Sequence, residues 1–242
     1  MNNLVIDSGN TLVKYALFEG NRLVELIKIK QSEPLKNPFD GNKNIKQIIF
    51  SSVNHHEQDF FDAFKTLRCP IVNVKNCPMP TASHYNLSTF GSDRKCAING
   101  VLSFLGNDKS AFVVVNCGSC ITYDFVGFDG RNHQHQGGNI TLGLQMRFEA
   151  IHQLTKRLPL VEPKLEFQKT IGTNTSEAIQ IGIQKGIVYE IEGFVKPFLI
   201  ENEGAIVFLT GGNAFFFENQ LNFKIFARQN LVLEGLNAFL KH

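Results

Sequence analysis

The stretch Leu4-Val5-Ile6-Asp7-Ser8-Gly9-Asn10-Thr11 decides the fold, because its pattern returns as Val113-Val114-Val115-Asn116-Cys117-Gly118-Ser119-Cys120. Each copy is an apolar strand that leads into Asp or Asn, one further residue, Gly and small residues, and a second strand follows. Asp7 and Asn116 are 109 positions apart, close to one domain length. We therefore predict an α/β protein with two domains of similar topology, residues 1–110 and 111–242, flanking a cleft.

The spacing of apolar residues predicts the elements around these two copies. In the first half we predict strands over 4–6, 12–18, 23–29, 45–53 and 71–74, helices over 56–67 and 93–105, and loops over 31–44 and 76–92. In the second half we predict strands over 112–115, 121–126 and 205–210 and helices over 142–158, 175–200 and 231–240. Asn174, with Glu177 three residues later, is typical of a helix N-cap.

Composition excludes several classes of protein. The 242 residues are 43% hydrophobic and 19% charged, which is typical of a globular chain and not of a disordered one. A formal net charge of +2 disfavours a dedicated nucleic-acid binder. The sequence has no apolar run of about 18 residues and no N-terminal export signal, so we expect no membrane association. Five cysteines without an export signal indicate reduced thiols in the cytoplasm.

The turn after each repeated strand can bind phosphate. A Gly-containing turn exposes backbone N–H groups, Asp7 adds a carboxylate suited to Mg²⁺, and Lys14 lies near enough along the second strand to reach a phosphate. An ordinary β-hairpin uses the same turn residues. The second such turn, at 116–122, favours the phosphate interpretation because two such loops can bind one polyphosphate.

The segment Gly91-Ser92-Asp93-Arg94 has two interpretations that the residues alone leave open. Ser92 or Asp93 can be a helix N-cap. Alternatively, Asp93 accepts a proton from a hydroxyl group while Arg94 binds an anion through two parallel hydrogen bonds.

Three further patterns carry less weight. Cys117 and Cys120 form a C-x-x-C pair without the second pair that zinc requires, although a thiol of low pKa beside the loop stays possible. His133 and His135 alternate along a strand, and we expect them on a solvated hairpin face. The adjacent His55 and His56 are expected at a helix start, with cap and solvent contacts.

Seven short motifs, in order, resemble those of the type III pantothenate kinases, a family of the sugar kinase, heat-shock-70 and actin superfamily. They are DSGNT at 7–11 with Lys14, GSDR at 91–94 preceded by Tyr85, NCGSCIT at 116–122, GGNI at 137–140 followed by Gly143-Leu144, Leu158-Pro159, GTNT at 172–175 and TGG at 210–212. The resemblance spans nearly the whole chain.

The resemblance implies two ribonuclease H-like (actin-like ATPase) domains, with mixed sheets and helices on both faces. It also implies a reaction: transfer of the γ-phosphoryl group of ATP to the primary hydroxyl of pantothenate, giving 4'-phosphopantothenate, the entry step to coenzyme A. In the family, long helices of the second half form a dimer interface, so the resemblance implies a homodimer. The partners implied are therefore pantothenate, ATP with Mg²⁺, and a second copy of the chain, with no nucleic acid and no membrane.

The resemblance also implies residue roles. Asp93 is implied as the proton acceptor, and Asp7 as the residue that organises Mg²⁺. The implied ATP-binding residues are Asp7, Ser8, Gly9, Asn10, Thr11, Lys14, Gly118, Ser119 and Thr122. The implied pantothenate-binding residues are Tyr85, Gly91, Ser92, Arg94 and Thr175.

The chain departs from the family at the second phosphate motif. Asn116 stands where the family has an Asp that binds a monovalent cation, K⁺ or NH₄⁺, and Ser119-Cys120 replaces Thr-Ala. An amide oxygen can ligate K⁺ but brings no charge, so we expect the cation dependence to be weakened or lost. In addition, Leu142 replaces a Pro, and the loop from Tyr85 to Gly91 is one residue shorter.

Two alternatives to a pantothenate kinase stay open. A catalytically weak or silent relative could act as a regulatory or accessory protein, and Asn116 favours this reading. Intact Asp7, Asp93 and Arg94 favour an enzyme. The third possibility is a kinase for another small hydroxy acid or a sugar, and Arg94 favours an anionic substrate.

Overall fold

The structure, a computed structural model, describes residues 2–39, 44–165 and 169–241. It divides into two compact units. Unit 1 comprises Met1–Ala82, Asn86–Asp108 and Asn230–His242, and unit 2 comprises Ser83–Tyr85 and Lys109–Gln229. The predicted domains, 1–110 and 111–242, differ from these units in three short segments: 83–85, 109–110 and 230–242.

Unit 1 is built on a five-stranded mixed sheet in the order β3-β2-β1-β4-β5. Its strands are β1 (Asn2–Ser8), β2 (Leu12–Glu19), β3 (Arg22–Lys30), β4 (Ile45–Ser52) and β5 (Ile71–Asn73). The first three strands form the predicted antiparallel meander, and β4 and β5 continue the sheet in parallel from β1. The carboxyl ends of β1 and β4 therefore lie side by side.

Helices cover both faces of this sheet. They are α1 (Glu57–Phe64), α2 (Ser92–Leu105) and α5 (Leu231–Ala238). Leu4 and Ile6 of β1 share a buried cluster with Phe60 of α1. The side chain of Val5 points to the opposite face and is also fully buried, and α5 contacts β1 on that side.

Helices α2 and α5 approach each other closely at two glycines. A Cβ atom at Gly100 would lie 2.6 Å from the carbonyl oxygen of Leu231, and one at Gly235 would overlap the carbonyl oxygen of Cys96. The Asn99 side-chain amide donates to the Gly235 carbonyl at 2.8 Å. Only glycine permits backbones this close, so the helix over 231–238 is firmly joined to unit 1.

Unit 2 is built on a six-stranded mixed sheet in the order β11-β10-β7-β8-β9-β6. Its strands are β6 (Ala82–Ser83), β7 (Phe112–Cys117), β8 (Cys120–Phe128), β9 (His133–Leu142), β10 (Ile206–Thr210) and β11 (Ile225–Ala227). Helices α3 (Leu144–Leu154) and α4 (Thr175–Glu201) pack on one face of this sheet. On that face Val113 and Val115 of β7 share a buried cluster with Ile187 of α4.

The predicted repeat of topology is confirmed. In unit 2, β7, β8 and β9 form an antiparallel meander, and β10 and β11 extend it in parallel from β7. This is the order of β1 to β5, with β6 added at the outer edge. The mixed sheets predicted for both halves are therefore present.

Element boundaries differ from the prediction in several places. α1 ends at Phe64 and continues only as a single 3₁₀ turn, and α3 ends at Leu154 instead of reaching 158. Strands β6 and β11 were not predicted. Residues 40–43 of the predicted loop over 31–44 lie outside the described residues. Among the helices that the structure describes, none combines the length and apolar character needed to cross a bilayer.

Candidate active site

The first predicted phosphate loop is a tight hairpin at the end of β1. The backbone N–H of Gly9 donates to the carbonyl of Leu12 at 3.0 Å, which leaves Asn10 and Thr11 exposed at the tip. The sequence folds this way because two apolar strands are interrupted by Gly and Asn, two residues that are common in turns. The exposed tip can offer N–H groups and neutral side chains to phosphate oxygens.

Asp7 and Lys14 face each other at the base of this hairpin. They are direct cross-strand partners, and the Lys14 Nζ lies 3.2 Å from the Asp7 Oδ2. Their side chains are 34% exposed for Lys14 and 13% for Asp7, so both reach the solvent beside the loop. A carboxylate and an ammonium group held together in this way can serve a metal ion and a phosphate, the two charged parts of MgATP.

The turn after β4 braces the first loop. The Val53 N–H donates to the Ser8 carbonyl at 3.1 Å, and the Asn54 side-chain amide donates to Asn10 Oδ1 at 3.4 Å. His55 Nδ1 lies 2.9 Å from the buried Ser8 hydroxyl. Sequence reasoning missed this role of His55. The position of His55 just after a predicted strand could have indicated this role, because the carboxyl ends of neighbouring parallel strands meet at one edge of a sheet.

His56 has the cap role that the sequence predicts. It is the N-cap of α1, and its backbone N–H donates to Asp59 Oδ2 at 2.8 Å. The two adjacent histidines therefore have different roles: His56 caps α1, and His55 contacts Ser8 at the base of the first loop.

Helix α2 begins at the GSDR segment. Gly91 is the N-cap, and a Cβ atom there would lie 2.7 Å from Asp93 Oδ1, so any larger residue would displace that carboxylate. Asp93 lies in the first turn, where the helix dipole favours a negative charge. Arg94 is 3% exposed, and its guanidinium carbon lies 4.7 Å from the centre of the Phe90 ring.

The charges of Asp7 and Asp93 both affect the pKa of one buried thiol, that of Cys96. Burial raises the pKa of Cys96 well above its usual value, and the negative charges of Asp7 and Asp93 raise it further. The structure thus brings the predicted Mg²⁺ carboxylate and the predicted proton acceptor into the same neighbourhood of unit 1.

The side chain of Lys95 joins α2 to the segment that precedes it. Its ammonium group donates to the carbonyls of Val74 at 2.7 Å and Cys77 at 2.8 Å, and burial lowers its pKa. A cavity of about 440 Å³ lies beside it. The cavity is lined by Lys75, Cys77, Met79, Leu87, Ser88, Phe90, Ser92 and Lys95.

The second predicted phosphate loop, in unit 2, is one residue tighter than the first. The Gly118 N–H donates to the Cys120 carbonyl at 3.0 Å, so Ser119 alone forms the exposed tip. Asn116 and Thr122 are direct cross-strand partners at its base. Thr122 therefore has the place of Lys14, and Asn116 that of Asp7, which makes this base neutral.

Two glycines hold the second loop from outside. The Gly143 N–H, at the start of α3, donates to the Ser119 carbonyl at 3.0 Å, and a Cβ atom at Gly143 would overlap that oxygen. Gly211 has a φ of +95°, and a Cβ atom there would lie 2.6 Å from Asn116 Oδ1. The GL and TGG motifs therefore meet the second loop, and each needs glycine for a steric reason.

Thr175 is exposed at the first position of α4. The predicted N-cap is confirmed, since Asn174 Oδ1 accepts from the Glu177 N–H at 3.0 Å. The Glu177 carboxylate accepts from both the N–H and the hydroxyl of Thr173, and these bonds lower its pKa to about 2.

Tyr85, the other predicted pantothenate contact in unit 2, follows β6 directly. Its backbone N–H donates to the Ser83 hydroxyl at 3.1 Å, and its ring centre lies 6.1 Å from that of His135.

One expectation about an individual side chain was wrong, and one open possibility is decided for Cys117. His135 is fully buried and not on a solvated face, because its ring lies against Asp124 and Ser83. The Cys117 thiol does not have a low pKa: burial, aided by the charge of Glu190, raises it to about 12. All five cysteines are free thiols.

Asp7 of unit 1 could hold Mg²⁺. Mg²⁺ commonly uses one or two carboxylates and completes its shell with water and substrate phosphates, which fits a single accessible carboxylate beside a phosphate loop. Within residues 2–39, 44–165 and 169–241, no three His, Cys, Asp or Glu side chains group to form a metal site of their own.

Comparisons with known proteins identify the family of the chain. The sequence model of the type III pantothenate kinase family matches residues 3–197. The chain is 36% identical to the type III pantothenate kinase of Bacteroides fragilis over 248 residues, which covers 99% of this chain and 98% of that protein. It is 35% identical to the type III pantothenate kinase of Flavobacterium psychrophilum, with the same coverage.

Solved structures of more distant proteins share the fold. A Campylobacter jejuni protein assigned to the Baf family of transcriptional activators superposes with a TM-score of 0.63 at 22% identity, covering 98% of this chain and 97% of its own. A Sinorhizobium meliloti protein assigned as a 2-dehydro-3-deoxygalactonokinase superposes with a TM-score of 0.60 at 10% identity, covering 99% and 98%. These neighbours confirm the predicted actin-like ATPase and sugar kinase fold. Because the family model covers most of the chain and full-length relatives exceed 30% identity, the chain belongs to the type III pantothenate kinase family.

Proposed function

We propose that this protein transfers the γ-phosphoryl group of ATP to the primary hydroxyl of pantothenate and forms 4'-phosphopantothenate, the first step towards coenzyme A. One observation carries the proposal. A chain 36% identical to a type III pantothenate kinase over 99% of its length keeps the charged pair Asp7–Lys14 and the carboxylate of Asp93 at the start of a helix.

In this reaction the first loop binds the phosphates of ATP. The backbone N–H groups of Ser8, Gly9, Asn10 and Thr11 and the exposed side chains of Asn10 and Thr11 surround the phosphate oxygens, and Lys14 adds a positive charge. Asp7 holds the Mg²⁺ that accompanies ATP, and the ion supplies neutralisation of phosphate charge when bound. With MgATP bound, Lys14 would donate to a phosphate and Asp7 would hold the Mg²⁺, so that each member of the charged pair would keep a partner of opposite charge.

Asp93 accepts the hydrogen of the pantothenate hydroxyl. Phosphoryl transfer has a loose transition state, so the hydroxyl loses its proton late and a carboxylate suffices as acceptor. Arg94 binds the carboxylate of pantothenate, and its guanidinium group lies over the Phe90 ring. Tyr85, Gly91, Ser92 and Thr175 complete the pantothenate contacts.

The second loop binds phosphate through Gly118, Ser119 and Thr122, without a charge of its own. The Asn116 amide oxygen can ligate K⁺ or NH₄⁺, but it lacks the carboxylate charge that draws a cation to this position. We therefore propose a protein whose activity depends weakly, or not at all, on monovalent cations.

We also propose that the enzyme is a cytoplasmic homodimer, as the family resemblance implies. The isoleucines of α4 at 179, 183, 187 and 191 are buried in the core of unit 2, so that stripe is used within the chain. Other apolar side chains of this unit are exposed: Ile140 at 57%, Leu142 at 45% and Tyr189 at 59%. They offer apolar area for a second copy. A dimer mass by light scattering supports this, and a monomer at working concentration contradicts it.

The test of function is an ATP-coupled assay with pantothenate on the wild type and on Asp93→Asn. General-base removal costs about 10²- to 10⁴-fold, so we expect kcat to fall at least 100-fold while the circular dichroism spectrum is unchanged. Asp62→Asn is the matched control, because Asp62 is exposed on α1 and pairs with Lys65. A wild type that is inactive with and without K⁺ would instead favour the silent regulatory relative, and activity with other hydroxy acids or sugars alone would favour the third alternative.

A further inference from the structure

Three polar side chains of unit 2 form a hydrogen-bonded chain that the proposed reaction does not use. His135 Nε2 lies 3.0 Å from Asp124 Oδ1, and His135 Nδ1 lies 2.8 Å from the Ser83 hydroxyl. Asp124 is 1% exposed and His135 is fully buried. A carboxylate is costly to bury without partners, so a pair this deep indicates a definite role.

A β-bulge places His135 on the same face of the sheet as Asp124. Asp124 pairs with Gly138 and Phe125 with Gly137, but Val126 pairs with His135, so Gln136 is an extra residue in β9. Without it, Val126 would face Gln136, and His135 would turn to the other face, since side chains alternate along a strand. Bulges commonly re-aim a side chain in this way near functional sites.

One tautomer of His135 gives this hydrogen-bonded chain a single direction. With the ring hydrogen on Nε2, His135 donates to Asp124, and its Nδ1 accepts from the Ser83 hydroxyl. The Ser83 oxygen in turn accepts the backbone N–H of Tyr85 at 3.1 Å. The His84 N–H also donates to the His135 carbonyl at 3.0 Å, which fixes the same segment through the backbone. The chain that starts at a buried carboxylate thus ends on the backbone of Tyr85.

We propose that Asp124, His135 and Ser83 are positioning residues that hold Tyr85 for binding of pantothenate. The inference rests on the proposed function, in which Tyr85 contacts that substrate. The interior of the unit fixes Asp124 and His135, and Ser83 transmits that fixed position to an exposed turn.

The same residue types form the nucleophilic triad of serine hydrolases, but the geometry here favours positioning. The Ser83 oxygen accepts an N–H from two residues further along, the local turn bond that serine commonly makes. A serine whose oxygen is engaged in its own turn holds a backbone in place.

The first experiment measures steady-state kinetics of Ser83→Ala. Loss of a hydrogen bond worth about 1 kcal/mol is a factor of about five, so we expect the pantothenate KM to rise about fivefold, with the ATP KM and kcat within twofold. Ser83→Thr keeps the hydroxyl and should restore the wild-type KM. Thr155→Val is the matched control, because the exposed Thr155 hydroxyl donates to the Ile151 carbonyl of α3 at 2.6 Å, away from the proposed site.

A double-mutant cycle tests whether Ser83 acts through Tyr85. In a Tyr85→Ala background, Ser83→Ala should raise the pantothenate KM by less than twofold, because the residue it positions is gone. Additive effects of the two substitutions overturn the inference. So does a Ser83→Ala variant that melts at a lower temperature with an unchanged pantothenate KM, since that result describes a purely structural bond.

Amide hydrogen exchange supplies a readout that does not depend on activity. In Ser83→Ala, and in Asp124→Asn, the Tyr85 amide should exchange at least about tenfold faster than in the wild type. Unchanged exchange overturns the inference itself. Faster exchange in a protein that does not phosphorylate pantothenate overturns the proposed function, and with it the substrate named here, while the ordering of Tyr85 is upheld.

Discussion

The first and second hairpins of this protein have the same topology and different chemistry. Each ends the central strand of a sheet and turns at a glycine into an antiparallel neighbour. At the base of the first, Asp7 and Lys14 carry opposite charges 3.2 Å apart. At the base of the second, Asn116 and Thr122 occupy the same positions without charge.

The difference shows that the repeated scaffold and the charge are separable. Strand order and glycine turns are needed for folding of either unit, so both copies keep them. In the proposed reaction only the first hairpin binds Mg²⁺ and therefore needs the charged pair. The neutral loop is instead closely packed, with Gly143 and Gly211 against its backbone. Substitutions that exchange the two chemistries test this distinction.

Among the substitutions in the two hairpins, the largest effect is expected for Asp7→Asn, which gives the first hairpin the residue of the second. The variant loses the proposed Mg²⁺ ligand and leaves Lys14 without its carboxylate, so kcat/KM should fall about 100-fold. The measurement is the coupled assay over a range of Mg²⁺ concentrations, where the variant should also need more Mg²⁺.

The control for Asp7 is Glu19→Gln. Glu19 forms an ion pair with Arg22 at the next turn of the same sheet, where both side chains are exposed. We expect its kinetics to stay within twofold of the wild type, because exposed ion pairs contribute little. A similar loss in both variants would mean that charge pairs in this sheet matter for folding and not for MgATP.

A smaller effect is expected for Lys14→Met. The variant keeps the length of the side chain and loses its hydrogen bond to phosphate, so the ATP KM should rise about tenfold. The pantothenate KM should not change. Arg22→Met supplies the control for loss of a positive charge in the same sheet. An unchanged ATP KM in Lys14→Met would show that Lys14 serves only to neutralise Asp7.

The smallest effect concerns the second hairpin. We expect the wild-type rate to change less than about twofold when K⁺ or NH₄⁺ is replaced by a large organic cation. Asn116→Asp should gain K⁺ activation of about fivefold, because a carboxylate adds Coulomb attraction at this position. Strong K⁺ activation of the wild type would contradict the neutral character assigned to this loop.

Most of the architecture could be predicted from the sequence. Alternating and helical spacing located the central strands and long helices, and the recurrence of strand, Asp or Asn, and Gly revealed two sheets of like order. Strands β6 and β11 were missed because two or three residues are too few to show a period. The first loop and the GSDR helix start were recognisable because turn and capping residues act locally.

The hydrogen-bonded chain of Asp124, His135 and Ser83 could not be predicted, and the reason is physical. Alternation placed His133 and His135 on one face, which is correct, but it could not say which face was buried. That depends on the extra residue Gln136 and on packing by distant segments. The role of His55 was likewise hidden, since it depends on the pairing of β1 with β4.

The glycine contact between α2 and α5 has a consequence for how the protein is made. Unit 2 is almost a single run, 109–229, whereas unit 1 needs the helix over 231–238 to cover its sheet. A ribosome therefore finishes the second unit before it supplies the last helix of the first. Domains generally fold as units during synthesis, so the unit that is started first is completed last, and the part of its sheet that α5 contacts stays uncovered until then.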